Sequence, residues 1–418
     1  MAVGLVQETP AGVQESTLRR WTTFLLSVLS NVFCGLVATL LATYLPVIVR
    51  DLVGTMDDVA VGEIGAYVGS LFLIGWTAGG IAFGWAGDRF GRAKAFTVAV
   101  ALFGGATLAS VWVEDWLVLM VYRFLAGAGV GGTMVVSAIL VAEIWPPGSR
   151  AIALGMLGVA FPIGIVSAGA INYVLPDWRS AFLIGLLPLA VGFASFFSAH
   201  DSATWAASNA QRRSGSNPFQ LLVAPEIRKN FAVGAAVFGV MSVGLWAAFS
   251  WLPTWAQSIL PPDASGQKER GLLMMLLGMG GIVGTAVSGF ISNAIGRKKT
   301  LLLAFAGCFV ASFILFKTNA VFSSVVFVET ALLAIFFGIG QGVLMVYIPE
   351  LFPTLVRSTA TGICFNVGRI VTAIAVFFVG VLVPVLGGYG NAVFAFAFMY
   401  VVGLVVAVFG PETKGKLL

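Results

Sequence analysis

The chain has 418 residues, of which 59% are hydrophobic and only 10% charged. A water-soluble domain of that size needs roughly 25% charged residues to cover its surface, so a globule wetted on all sides is excluded and lipid is the main solvent. The net charge of +5 does not indicate a nucleic-acid partner, because the basic residues form no single patch and recur at alternate ends of apolar runs.

In chain order, residues 1–20 are a polar tail with Glu8, Glu15, Arg19 and Arg20, no apolar core and no small-residue cleavage site. It does not read as a secretory signal. Twelve apolar runs follow, each with room for the roughly 20 residues that cross a bilayer. They are 22–49, 64–86, 93–113, 116–141, 151–172, 180–199, 231–257, 271–294, 299–317, 321–347, 358–385 and 391–410. The predicted fold class is all-α membrane protein. Its predicted parts are an N-terminal tail (1–20), a first six-helix bundle (21–199), a linker (200–230), a second bundle (231–410) and a C-terminal tail (411–418). The linker holds the single histidine, His200, and the run QRRSGSNP. Cys34, Cys308 and Cys364 fall inside separate predicted helices, which is not a disulfide or metal framework.

Lys and Arg crowd alternate helix ends: Arg19 and Arg20; Arg89, Arg92 and Lys94; Arg150; Arg212, Arg213, Arg228 and Lys229; Arg297, Lys298 and Lys299; Arg357; Lys414 and Lys416. The opposite ends hold Arg50, Arg179, Lys268, Arg270 and Lys317. By the positive-inside rule both termini and the central linker lie in the cytoplasm, which requires an even number of spans.

The chain repeats itself. GWAGDRFGRAK (84–94) recurs as GFISNAIGRKK (289–299), matching Gly84, Asp88, Gly91 and Arg92 to Gly289, Asn293, Gly296 and Arg297. EIWPPGSRAIALG (143–155) recurs as ELFPTLVRSTATG (350–362), matching Glu143, Pro146, Arg150 and Gly155 to Glu350, Pro353, Arg357 and Gly362. Two motifs at nearly one offset, half the chain, mean a duplicated six-helix unit. Acid and base recur together at one end. Asp88, Arg92, Glu143 and Arg150, with Asn293, Arg297, Glu350 and Arg357, are therefore expected to form a cytoplasmic gate. It would hold the bundles together when the cavity opens outward and separate when it opens inward. Helix packing and topology are the competing account of the same residues.

The GxxxDRxGR loop resembles the signature between helices 2 and 3 of the major facilitator superfamily. The ExxPxxxR loops resemble those of its sugar, organic-ion and organic-acid branches, and RFLAGAGVGG (123–132) resembles its helix-4 motif. The resemblance spans the helical part of the chain. It implies two pseudo-symmetric six-helix bundles around a central cavity, related by an axis along the membrane normal, working by alternating access.

Charges deep in a bilayer are expensive and are functional by default. Among the acids only Glu329, and among the bases only Arg123 and Arg369, fall clearly within a predicted span. At about 1.5 Å per residue, Arg369 lies about 18 Å in from the cytoplasmic end of helix 11. Glu329 lies about 12 Å from the outer end of helix 10, level with Arg123. Asn366 shares the face of Arg369. TGICFNVGRIV (361–371) resembles helix 11 of organic-anion transporters and of bacterial aromatic-acid and nicotinate carriers. There an arginine at the matching position is associated with the carboxylate, so the resemblance implies an anionic substrate held by Arg369. Aromatic-acid carriers show acids in helix 1, whereas this helix reads SVLSNVFCGL (27–36), with Asn31 as its main polar group. Phe33, Tyr67, Trp246, Trp251 and Tyr347 are candidate cavity walls, and Glu329 with Arg123 the candidates for proton coupling.

The leading expectation is proton-coupled symport of a small organic anion, a carboxylate, by a monomer in a bacterial inner (plasma) membrane. The alternatives are a proton-coupled drug or metabolite exporter and a sugar transporter. GVAFPIG (158–164) fits the GxxxGPxxGG run of drug antiporters poorly. No cofactor and no enzyme activity are expected, since no catalytic or metal constellation is present.

Overall fold

The computed structural model describes residues 17–54, 57–146, 149–198, 225–353 and 357–414. Most of the expected 200–230 linker and most of the expected N-terminal tail lie outside them. Among the described residues twelve helices are long and apolar enough to cross a membrane. The first six are α1 (Thr17–Val53), α2 (Asp58–Phe90), α3 (Arg92–Ala109), α4 (Trp116–Ile144), α5 (Arg150–Val174) and α6 (Trp178–Ser198). The second six are α7 (Pro225–Ser258), α8 (Gln267–Ile295), α9 (Arg297–Thr318), α10 (Val325–Glu350), α11 (Arg357–Leu386) and α12 (Tyr389–Phe409). Helices suit such a sequence because in hydrocarbon every backbone N–H and C=O must be paired within the segment.

The boundaries differ from the sequence expectation in instructive places. α6 is interrupted by a 3-10 turn at Leu183–Gly185, after an N-cap in which Asp177 accepts from the N–H groups of Arg179 and Ser180. α10 starts at Val325, four residues later than the apolar run suggests. The N–H of Phe322 donates to the carbonyl of Ile259 at 2.9 Å, which holds that stretch as a loop against the end of α7.

The duplicated unit is visible in the tightest contacts. In the first half α2 packs on α4 through Gly79 and Gly131; in the second, α8 packs on α10 through Gly284 and Gly338. A methyl group at any of the four would collide with the partner backbone. Close approach of this kind is what small residues provide where no hydrophobic effect drives helices together. The loop glycines Gly91 and Gly296, with φ of 112° and 99°, make the same turn in both halves, a conformation that any side chain would strain.

The halves meet along α2 with α11, α5 with α8, and α1 with α7. These seams are shut at the end opposite the basic loops, called the outer end below. There a Cβ on Gly62 would lie 2.8 Å from the carbonyl of Gly380, and one on Gly271 2.7 Å from the carbonyl of Gly169. Arg270 in α8 is buried and donates across the seam to the carbonyl of Thr43 in α1 at 3.1 Å. Gln267 donates to the carbonyl of Asn172 in α5 at 2.9 Å. Towards the basic end Gly155 and Gly158 of α5 and Gly362 of α11 stand in open space. The two bundles thus close at the outer end and part at the basic end.

Candidate functional site

The centre of the molecule is built on α2. Gly127 and Gly131 bring α4 against the backbone of Phe72 and Trp76, and this places Arg123, one turn before Gly127, over the Phe72 ring at 4.3 Å. Arg123 is 1% exposed. Both its terminal nitrogens donate to the carbonyl of Val37 in α1 at 3.1 Å, and its Nε–H has no partner among the described residues. It lines a cavity of about 30 Å³ between α1, α2, α4 and α7, with Phe72, Trp246, Ser250 and Trp251, large enough for about two waters.

One turn along α2 from Phe72, Trp76 faces the second half. Its ring meets Trp246 of α7 edge to face at 5.5 Å and lies 5.7 Å from the guanidinium of Arg369 on α11, within cation–π range. Among the described residues Arg369 makes no hydrogen bond or ion pair. Asn366 donates to the carbonyl of Gly362 at 2.9 Å, and its buried Oδ1 has no partner among the described residues.

Of the residues expected to line a cavity, the structure brings Arg369, Trp246 and Trp251 to this centre, together with Arg123, which was expected to serve proton coupling. Asn31 is spent inside the first half, donating to the carbonyl of Ser27 and the hydroxyl of Ser137, both at 2.8 Å. Phe33 packs half-buried on the core. Tyr67 is 37% exposed, between Trp116 and Phe377. Tyr347 lies near the basic end, donating to the carbonyl of Pro411 at 3.0 Å, because α10 runs on to Glu350. Glu329 does not approach Arg123 or Arg369. With α10 starting at Val325, it is in the second turn of that helix and accepts from the Nδ2 of Asn319 at 2.5 Å.

The basic-end motifs pair as their spacing suggests, but each within its own half. Arg92 bridges Asp88 at 3.3 Å and Glu143 at 3.0 Å. Arg297 meets both carboxylate oxygens of Glu350 at 3.2 Å and the Oδ1 of Asn293 at 3.0 Å. Arg150 donates to the carbonyl of Trp145 at 3.3 Å; the side chain of Arg357 lies outside the described residues. These pairs are formed while the basic end is open, so in this conformation they brace each bundle instead of joining the two.

Two features escaped the sequence reading. Trp76 stands mid-span, where interfacial anchoring cannot account for a tryptophan, and that was its signal. Glu412 takes the place the Asn293 substitution vacates. Its carboxylate accepts from the N–H groups of Arg297 (3.0 Å), Lys298 (3.2 Å), Thr413 and Lys414 (both 2.9 Å). Partial burial pushes this carboxyl up, but the four donors outweigh it and hold the group below its usual range. The clue was an α9 N-terminus, a site that favours negative charge, whose repeat motif lacks the acid.

Two bundles of six helices, shut at one end around a central cavity and parted at the other, define a membrane transporter. Residues 27–376 match the Major Facilitator Superfamily, and the chain belongs to that family. Its relatives include the cis,cis-muconate transport protein of Acinetobacter baylyi, 28% identical over 365 residues covering 83% of this chain and 85% of the relative. The niacin transporter NiaP of the same organism is 26% identical over alignments covering 100% and 98%. In fold the chain resembles the inward-open xylose transporter XylE of E. coli, with a TM-score of 0.74 at 19% identity, covering 95% of this chain and 98% of that one. The protein is a transporter of small metabolites.

Proposed function

We propose that the protein carries a small organic anion, a carboxylate, together with protons across the plasma membrane by alternating access, with Arg369 as the carboxylate-binding group. The observation that carries the reading is the guanidinium of Arg369, midway along α11 against Trp76 and without an acidic partner among the described residues. A cation there is costly unless a charge enters to meet it. Its planar fork suits a carboxylate bidentately. Muconate and niacin, named for two relatives, are both carboxylic acids.

Orientation follows the basic residues: their ends lie in the cytoplasm, so the molecule is described open to the inside. Uptake of an anion against an inside-negative potential is opposed by about 2.3 kcal/mol per charge at 100 mV, so the anion needs a cation moving with it. Protons are the proposed cation and Glu329 the proposed carrier. Arg369 and the aromatic pair Trp76 and Trp246 come from one chain, so a monomer holds the complete site. The test is a thermal-shift and binding screen of the purified protein against mono- and dicarboxylates, sugars and cationic drugs. Stabilisation by carboxylates that disappears in Arg369→Ala is the expected result; a response only to sugars or to cations would overturn the reading.

A further inference from the structure

Arg123 and Arg369 stand at the two ends of one ladder. The Arg123 guanidinium lies over Phe72 at 4.3 Å, Phe72 meets Trp76 at 5.9 Å, and Trp76 meets the Arg369 guanidinium at 5.7 Å. Neither arginine has a carboxylate partner among the described residues. Arg123 has only the Val37 carbonyl to receive its terminal nitrogens, and its buried Nε–H is unpartnered beside the cavity. A guanidinium has five donors, and one carbonyl does not neutralise a cation so far from water. The centre therefore carries two uncompensated positive charges, one from each half, separated by two aromatic faces.

We propose that the substrate is a dianion, with one acidic group on Arg369, the second on Arg123, and a flat or apolar body against Trp76 and Phe72. The inference rests on the anion reading above and narrows it. Phe72 and Trp76 are one helical turn apart, about 6 Å of rise, which is the scale of a benzene ring or a six-carbon chain laid along the two side chains, with an acidic group at each end of it turned to the arginine beyond. In the described conformation the edge-to-face contact of Trp76 with Trp246 stands between the two sites. Trp76 belongs to the first half and Trp246 to the second, so rocking of the halves parts them and joins the Arg123 pocket to the space around Arg369. A monoanion would satisfy only one of the two charges.

The test uses acid pairs that differ only in the second carboxylate: benzoate against benzene-1,4-dicarboxylate, and hexa-2,4-dienoate against hexa-2,4-dienedioate. Each is titrated at neutral pH against the wild-type protein, Arg369→Gln, Arg123→Gln and Arg123→Lys. The diacid of at least one pair should bind the wild type about thirtyfold more tightly than its monoacid. Arg123→Gln should erase that advantage while leaving monoacid affinity in place, Arg123→Lys should keep part of it, and Arg369→Gln should weaken both acids. The wild-type ratio is informative even if Arg123→Gln fails to fold. Equal binding of monoacid and diacid, with both dependent on Arg369, overturns the dianion and leaves the anion reading standing; so does equal weakening of both acids by Arg123→Gln. Failure of every acid to bind overturns both.

Discussion

The guanidinium of Arg369, in the second half of the molecule, lies 5.7 Å from the ring of Trp76 in the first. This contact joins the two bundles at their centre, and a carboxylate arriving at Arg369 would meet a preformed aromatic wall from the opposite half. Arg369→Ala is expected to weaken carboxylate binding by about 2–5 kcal/mol, roughly thirty- to several-thousand-fold. Arg369→Lys should also fail substantially, because an ammonium keeps the charge and loses the planar fork. Calorimetry on variants that elute as folded monomers measures this, and near-normal affinity in both would move sugar or drug transport ahead of the anion.

The outer end closes through backbone contact, which makes it sensitive to bulk. A side chain at Gly62 has no room against the carbonyl of Gly380, whereas with that end open the two would be apart. Gly62→Trp should therefore penalise only the closed state. An overpacking penalty of about 1–3 kcal/mol shifts the equilibrium about five- to 150-fold. Spin labels at Val59 and Val385 should move apart and labels at Ile152 and Phe290 approach, with transport lost. Unchanged distances would mean the seam yields elsewhere.

Much of this architecture was legible beforehand, and the reason is physical. Hydrocarbon tolerates only long apolar helices, so the apolar runs set their number, and duplication left matching motifs such as Gly91–Arg92 and Gly296–Arg297 in both halves. The pairs Arg92–Glu143 and Arg297–Glu350 followed from co-recurring charge. Which half each pair would tie was not legible, since a motif gives neighbours in sequence and no conformation. Glu329 was placed too deep because the apolar run 321–347 reads as helix from its first residue, while a backbone hydrogen bond from Phe322 holds its start as loop. The aromatic ladder was missed because the mid-span place of Trp76 marks the residue but not its neighbours, and nothing local marks Phe72; glycines on α4 decide which side chains the two rings meet.

The intra-half pairs predict a loss of stability without a change of conformation. Removing one member of a fully buried ion pair costs about 3–5 kcal/mol, and less here because water reaches Arg297 and Glu350, whose side chains are 15% and 8% exposed. Glu350→Gln should lower the melting temperature more than Glu143→Gln, since Arg92 keeps Asp88 whereas Arg297 falls back on the neutral Asn293. Distances between the halves should stay as they are. A shift of those distances in either variant would show that the pairs also latch the bundles.

Proton coupling makes a separable prediction at Glu329. Glutamine can still accept from Asn319, so Glu329→Gln tests the charge and the proton with little structural loss. Accumulation of substrate driven by a pH gradient should disappear, while exchange of labelled for unlabelled substrate continues. Accumulation that survives in proteoliposomes places the proton carrier elsewhere.

The last prediction concerns pH and Glu412. Its carboxylate sits at the N-terminus of α9, accepting from Arg297 and Lys298, in a spot where Gly296 leaves it room. A group whose folded pKa is depressed adds stability above its unfolded value and loses it as pH falls through the folded one. The contribution of Glu412 is therefore complete at neutral pH and begins to fade below its ordinary value of 4.5. Glu412→Gln should melt below the wild type at pH 7, because a neutral amide answers the helix N-terminus less well than a carboxylate. That gap should narrow as the pH is lowered past about 4.5, since the wild type is then losing its own charge. Melting curves of both proteins in one detergent from pH 7 to pH 3.5 would measure it, and a gap that stayed constant across the range would mean that the side chain acts there through packing and not through charge.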